Sequence, residues 1–177
     1  MTSQTLDQLA GTAMPYALRP WQTAAVSIAG VLLTSLGLLA LIRAAAGYAA
    51  TYRGAIDLAV IVHVASVMPA VPLGTWLLLS VKGTPLHKAL GKVWLGLMVA
   101  AALSAVFIRQ INGGNFSFIH LFVPVTLLGA WRAYATARAG NLVAHRKGLI
   151  RFYLLALTIP GLLAFTPGRL MATWLFG

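Results

Sequence analysis

Five apolar runs, each about as long as a bilayer is thick, alternate with short polar connections along this chain. They cover residues 21–42, 56–81, 87–108, 116–137 and 145–165. A hydrocarbon core takes roughly 20 helical residues to cross, so each run predicts a transmembrane helix. The connections carry stop signals. Arg43 closes the first run, and Lys82-Gly83-Thr84-Pro85 separates the second from the third. Asn112-Gly113-Gly114-Asn115 is the clearest turn in the chain, and Arg138-Ala139-Gly140-Asn141 precedes the fifth run. A proline inside a helix removes a hydrogen-bond donor, so Pro69 and Pro72 predict a kink in the second span and Pro160 one in the fifth. Pro167-Gly168 ends the fifth run. Residues 167–177 are too short to cross and predict an interfacial tail anchored by Trp174. Residues 1–20 are of mixed polarity, with no basic leader before the first run, which is too long for a signal peptide and is read as an anchor. The expected fold is all-α, a single integral membrane bundle of five transmembrane helices over residues 21–177. Spans two to five make a four-helix core, behind a cytoplasmic segment 1–20.

Composition strengthens this picture. The chain is 60% hydrophobic and only 8% charged, where a soluble domain carries about a quarter charged residues. The net charge of +11 could suggest nucleic acid, but the basic residues fall between apolar runs, where topology explains them and no nucleic-acid partner is expected. Five spans place Arg19, Lys82, Lys88, Lys92, Arg138, Arg146, Lys147 and Arg151 on one side, and Arg43, Arg53, Arg109 and Arg169 on the other. The richer side is expected in the cytoplasm, which puts the N-terminus inside. The absence of cysteine excludes disulfides, thiolate metal sites, iron–sulfur clusters and cysteine-attached haem.

Four histidines carry the candidate chemistry: His63, His87, His120 and His145. They fall one per span on spans two to five. His63 and His120 lie early in spans that start at the outer face, and His87 and His145 open spans that start at the cytoplasmic face. Depth therefore pairs His63 with His120 and His87 with His145, and the two pairs cannot form one site. Paired neutral imidazoles from facing helices are axial ligands for b-type haem, so two haems are expected, with all four histidines as iron ligands. Small residues suit a flat ring: Ala59, Ser66, Ala70 and Gly74 share a face with His63, Gly91 follows His87 and Gly148 follows His145. Lys88, Lys92, Arg146, Lys147 and Arg151 on one side, and Arg109 and Arg169 on the other, could meet the propionates. Trp94 and Trp131 read as bundle filling or interface anchors.

The resulting function is a diheme b-type cytochrome passing electrons from a quinol or small reductant to an acceptor, alone, as a homo-oligomer or beside other membrane redox subunits. Its alternative is a cofactor-free bundle, either an accessory subunit of a larger membrane complex or a small transporter, with the histidines bonding between helices or carrying protons. A third reading, the weakest, is a metal site of one histidine pair plus Asp57; Asp57 is expected first to neutralise Arg53 or Arg43 near the outer surface, or else to relay protons.

Several stretches carry a likeness in order: Lys82-Gly83-Thr84, His87-x-x-x-Gly91-Lys92-Val93-Trp94, Ser104 with Phe107-Ile108-Arg109, Phe116-Ser117-Phe118-Ile119-His120-Leu121, Gly140-Asn141-x-x-x-His145-Arg146, and Pro167-Gly168-Arg169-Leu170-Met171. They resemble the bacterial membrane proteins grouped as domain of unknown function 2306, over roughly residues 60 to 177, and His63 falls where that family tends to have a histidine. Gly148-Leu149 stands where the family has a methionine. The family implies a fold and no activity. By arrangement alone, with no shared motif, one histidine on each of four consecutive helices is similar to the cytochrome b-561 proteins.

Overall fold

The computed structural model describes residues 18–50, 56–109 and 113–177, and every regular element among them is helical. In chain order these are α1 (Pro20–Ala45), α2 (Leu58–Leu79), α3 (Pro85–Ala105), a 3₁₀ turn (Phe118–Leu121) leading into α4 (Phe122–Arg138), α5 (Leu142–Phe152), a π-helical stretch (Tyr153–Thr158), α6 (Ile159–Leu163) and α7 (Leu170–Phe176). Four of them are long and apolar enough to cross a membrane: α1, α2, α3 and the 3₁₀ turn joined to α4. The fifth predicted span is the consecutive run α5, π stretch and α6. The segment 1–17, the Arg53 connection and Asn112 lie outside the described residues.

Local chemistry sets the helix starts. Asp57 caps α2, its Oδ1 accepting from Val60 N at 3.0 Å. Thr84 caps α3, its Oγ1 accepting from His87 N at 3.1 Å, with Pro85 at the first helical position, where no N–H is needed. Asn141 caps α5 through Ala144 N at 3.0 Å. Gly140, at φ 68°, makes the reversal between α4 and α5 in the left-handed region that glycine enters most easily.

The prolines act unequally. α2 stays helical through Pro69 and Pro72. Before Pro160 the chain instead widens into the π stretch, with Thr158 Oγ1 reaching back to Tyr153 O at 3.3 Å. Pro160 has no N–H to offer the preceding turn, and a widened turn is one way to accommodate that loss.

Large apolar side chains cover the outside: Ile28, Val31, Leu58, Leu121 and Leu128 are all exposed, as helices facing lipid should be. Lipid gives apolar side chains no reason to bury, so the helices meet through small residues and close packing. Gly30 of α1 sits against Thr75 of α2, and Gly129 of α4 against Phe152 of α5. Mid-bundle, the buried Trp94 donates Nε1–H to Ala70 O at 2.9 Å and meets Phe152 edge-on at 5.3 Å. The fully buried Tyr153 shares a 2.6 Å hydrogen bond with Thr75 Oγ1. The tail is not loose at the surface. α7 packs on α1, and Arg43 donates to Trp174 O at 3.2 Å, Gly177 O at 3.0 Å and Tyr48 O at 3.1 Å.

Two matched substitutions test this packing. A Cβ on Gly30 would fall 2.1 Å from Thr75 Oγ1, whereas one on Gly96 would meet nothing within 4 Å. Gly30→Ala should destabilise the bundle by about 1–3 kcal/mol through overpacking. Gly96→Ala should leave the melting temperature in detergent unchanged or raised. Equal melting temperatures would refute the α1–α2 contact.

Candidate functional site

The histidines occupy two levels. At one end, His63 sits a turn into α2 and faces α3, with Nδ1 2.9 Å from Ala101 O. A carbonyl can only accept, so the proton is on Nδ1 and the Nε2 lone pair is left for a ligand. Ser104 backs this contact: its hydroxyl binds the Ala100 and Ala101 carbonyls at 2.8 and 3.0 Å and lies 3.4 Å from the same Nδ1. His120 approaches from the 3₁₀ turn. Its Nδ1 lies 3.0 Å from Ser117 N and 3.1 Å from Ser117 O, so Ser117 serves it in either tautomer. His120 Nε2 is buried and has no partner among the described residues.

Both imidazoles line one cavity of ≈ 230 Å³, formed between α1 to α4, the π stretch, α6 and the turn into α7. Among the described residues its wall is apolar except at His63, His120, Thr126 and Arg169, and contains no carboxylate. Arg169 was expected from sequence to face an anionic group, and it lines this cavity. Arg109 stands behind the site. Its guanidinium lies 4.1 Å over the Phe116 ring and its Nε donates to Val106 O at 3.0 Å, while Phe116 meets His120 edge-on at 5.0 Å. The Arg109 cation therefore supports His120 through an aromatic ring.

At the other end, His145 of α5 donates Nδ1–H to Ala133 O of α4 at 2.9 Å. That repeats the His63 arrangement and again leaves Nε2 for a ligand. His87, in the first turn of α3, has a buried Nδ1 without a partner among the described residues. It lies close to His145 and Lys82. Lys82 Nζ donates to Leu78 O at 2.7 Å and to Ser80 O, closing the end of α2. Burial, and then the nearby Arg146 charge, push the Lys82 ammonium below its ordinary pKa. Lys88 and Lys92 are exposed and Arg146 is half-buried at this end. Gly91 and Gly148 leave open space, since a Cβ on either would meet nothing within 4 Å. From His87 to Ala101, the carbonyl that holds His63, α3 rises roughly 20 Å, which separates the two levels.

Some expected surroundings differ. Ala59, Ser66, Ala70 and Gly74 do not line the cavity. Trp94 covers Gly74, where a Cβ would fall 2.6 Å from its Nε1, so the planar group against that small face is an indole. Asp57 is placed as a helix cap, and among the described residues no three His, Cys, Asp or Glu side chains gather to hold a metal ion. Sequence spacing alone did not single out Ser117 or Phe116 as partners of His120, although both stand in its motif.

A family model described as a predicted membrane protein, DUF2306, matches residues 60–175. The chain belongs to the DUF2306 family. The matched region holds all four histidines, Arg109 and Arg169, and leaves out α1. No curated protein and no solved structure matches this DUF2306 chain at a significant level.

The lowered Lys82 pKa has a readable consequence. More of its amine is free at mildly alkaline pH than in a lysine of ordinary pKa. Limiting acylation of the detergent-solubilised protein, followed by peptide mass spectrometry, should label Lys82 at a lower pH than a model lysine peptide. Arg146→Gln should shift the labelling midpoint upward. A midpoint indifferent to Arg146 would contradict their proximity.

Proposed function

We propose that this DUF2306 protein is an electron carrier of the bacterial plasma membrane that holds two b-type haems, one between His63 and His120 and one between His87 and His145. The observation that carries this reading is the cavity shared by His63 and His120. One imidazole there has its Nδ1–H tied to a backbone carbonyl, and the other presents a buried Nε2 with no partner among the described residues. An imidazole whose second nitrogen donates to a carbonyl is the arrangement in which histidines ligate metals. A buried polar nitrogen without a partner calls for a ligand to explain it. The residues present therefore fit the group. His145 repeats the carbonyl bond and His87 the orphaned nitrogen at the second level.

Bound there, haem would supply reversible one-electron chemistry at iron. The protein's own contribution is orientation, an apolar lining and charge. The Ala101 and Ala133 carbonyls fix two imidazoles, Ser117 and Phe116 fix a third, and the lining around His63 and His120 is mostly apolar. Arg169 at one end, and Lys88 and Arg146 at the other, supply cations for haem carboxylates. Arg109 adds positive charge behind His120. Levels near opposite ends of the bundle suit transfer along the membrane normal, from a quinol or small reductant to an acceptor across the bilayer. The cytoplasmic placement of the Lys82 end follows from its richer Lys and Arg content.

An absorption spectrum tests this directly. Protein purified from cells supplied with haem should show a Soret band that shifts on dithionite reduction. His63→Ala or His120→Ala should remove about half of the haem, and His87→Ala or His145→Ala the other half. A colourless wild-type protein of full thermal stability would overturn the proposal.

A further inference from the structure

We propose that the outer face of the α4–α5 hairpin binds one anionic phospholipid, its phosphate held between Arg132 and Arg151 and its acyl chains lying over Leu128 and Leu155. Two contacts set the register of the hairpin: Gly129 rests on Phe152, and Ala133 O accepts from His145 Nδ1. Arg151 therefore stands opposite the turn of α4 that carries Gly129, within about 5 Å of Arg132 along the axis. Arg132 lies about 60° round α4 from Gly129, and Arg151 about 100° round α5 from Phe152. Antiparallel helices wind in opposite senses, so both steps lead to the same flank of the hairpin. Ala130 and Tyr153, on the opposite flank, are buried in the bundle, whereas Arg132 and Arg151 are exposed. Between them Gly148 leaves open space, since a Cβ there would meet nothing within 4 Å.

Depth and charge select the occupant. α4 belongs to a helix long and apolar enough to cross a membrane. Arg132 sits about 9 Å inside its Arg138 end, and Arg151 about 14 Å along α5 from Leu142. A cation facing hydrocarbon calls for a counter-charge. Neither guanidinium meets an acceptor, a carboxylate or a ring among the described residues, and neither does Lys147, exposed one turn from Arg151. Of the chain's two acidic residues, Asp57 caps α2 at the other end of the bundle, and Asp7 lies outside the described residues. The anion that a bilayer offers at this level is a lipid phosphate, which long arginine stems reach from below and guanidinium forks match. With no described carboxylate to receive an ammonium, the fitting headgroup is net negative, as in phosphatidylglycerol. Toward the bilayer centre the same flank turns apolar, with Leu128 and Leu155 exposed, which suits acyl chains and gives a soluble phosphate nothing. By sequence, Lys147 and Arg151 were candidates for haem carboxylates. They stand on this outward side, whereas Arg146 is turned toward Lys82. The lipid site therefore needs no haem.

Native mass spectrometry tests the site. Full-length protein in detergent is titrated with phosphatidylglycerol, with phosphatidylcholine of the same acyl chains, or with glycerol phosphate, and the retained ligand is counted. One phosphatidylglycerol should stay bound at concentrations that leave phosphatidylcholine unbound. Arg132→Gln and Arg151→Gln should each weaken its binding roughly fivefold. Gly148→Leu, which fills the space between the arginines and keeps both charges, should weaken it at least as much. Arg138→Gln should leave it unchanged, since that guanidinium is exposed elsewhere on α4 and donates to Tyr134 Oη at 3.2 Å. Equal retention of the two lipids, or phosphatidylglycerol retention indifferent to Arg132, Arg151 and Gly148, would overturn the site. Glycerol phosphate bound as tightly as the lipid would overturn it too, leaving a soluble phosphate as the ligand.

Discussion

A buried imidazole N–H must find an acceptor, and in this bundle two of them find one on the backbone of a neighbouring helix. His63 of α2 reaches Ala101 of α3, and His145 of α5 reaches Ala133 of α4, each at 2.9 Å. A helix carbonyl can take a second donor only if the side chain comes close to the helix surface. These bonds therefore depend on the close helix packing that the small residues permit, including Gly30 on Thr75 and Gly129 on Phe152. In return they fix which ring nitrogen keeps a lone pair. Helix packing and ligand chemistry are one constraint here.

The two ends of the bundle answer different demands. The His63 end is lined by apolar side chains, some of them from α7, which Arg43 holds through the Trp174 and Gly177 carbonyls, and its charge comes from Arg169 and from Arg109 behind Phe116. The His87 end is crowded with cations, enough that Arg146 perturbs Lys82. Trp94 stands between them, seven residues from His87 on the same face of α3. Its indole fills the small-residue face of α2, so the levels are divided by packed protein.

Much of this was legible in the sequence, because lipid imposes simple rules. Four of the five spans followed from length and hydropathy, and the shared level of His63 and His120 from their positions within the spans. Depth could be read because an α-helix has a fixed rise. What lay near each histidine could not, since it depends on how the helices rotate about their axes. Ala70 and Gly74 looked like a bed for a flat ring and turned out to be covered by Trp94, because periodicity shows which residues share a face and not what the face meets. Arg109 likewise stacks on Phe116 across a turn whose geometry no pattern in the chain specifies. Pro160 marked a disturbance correctly, while its form, a π-helical stretch, depended on how the neighbouring turns could relax.

The pairing itself can be measured most directly by cross-linking, because the chain has no cysteine of its own. Double variants with cysteine at positions 63 and 120, 87 and 145, and 63 and 145 would be treated in membranes with a short bismaleimide. The account predicts intramolecular cross-links for the first two pairs and none for the third. A 63–145 cross-link, or none between 63 and 120, would contradict it.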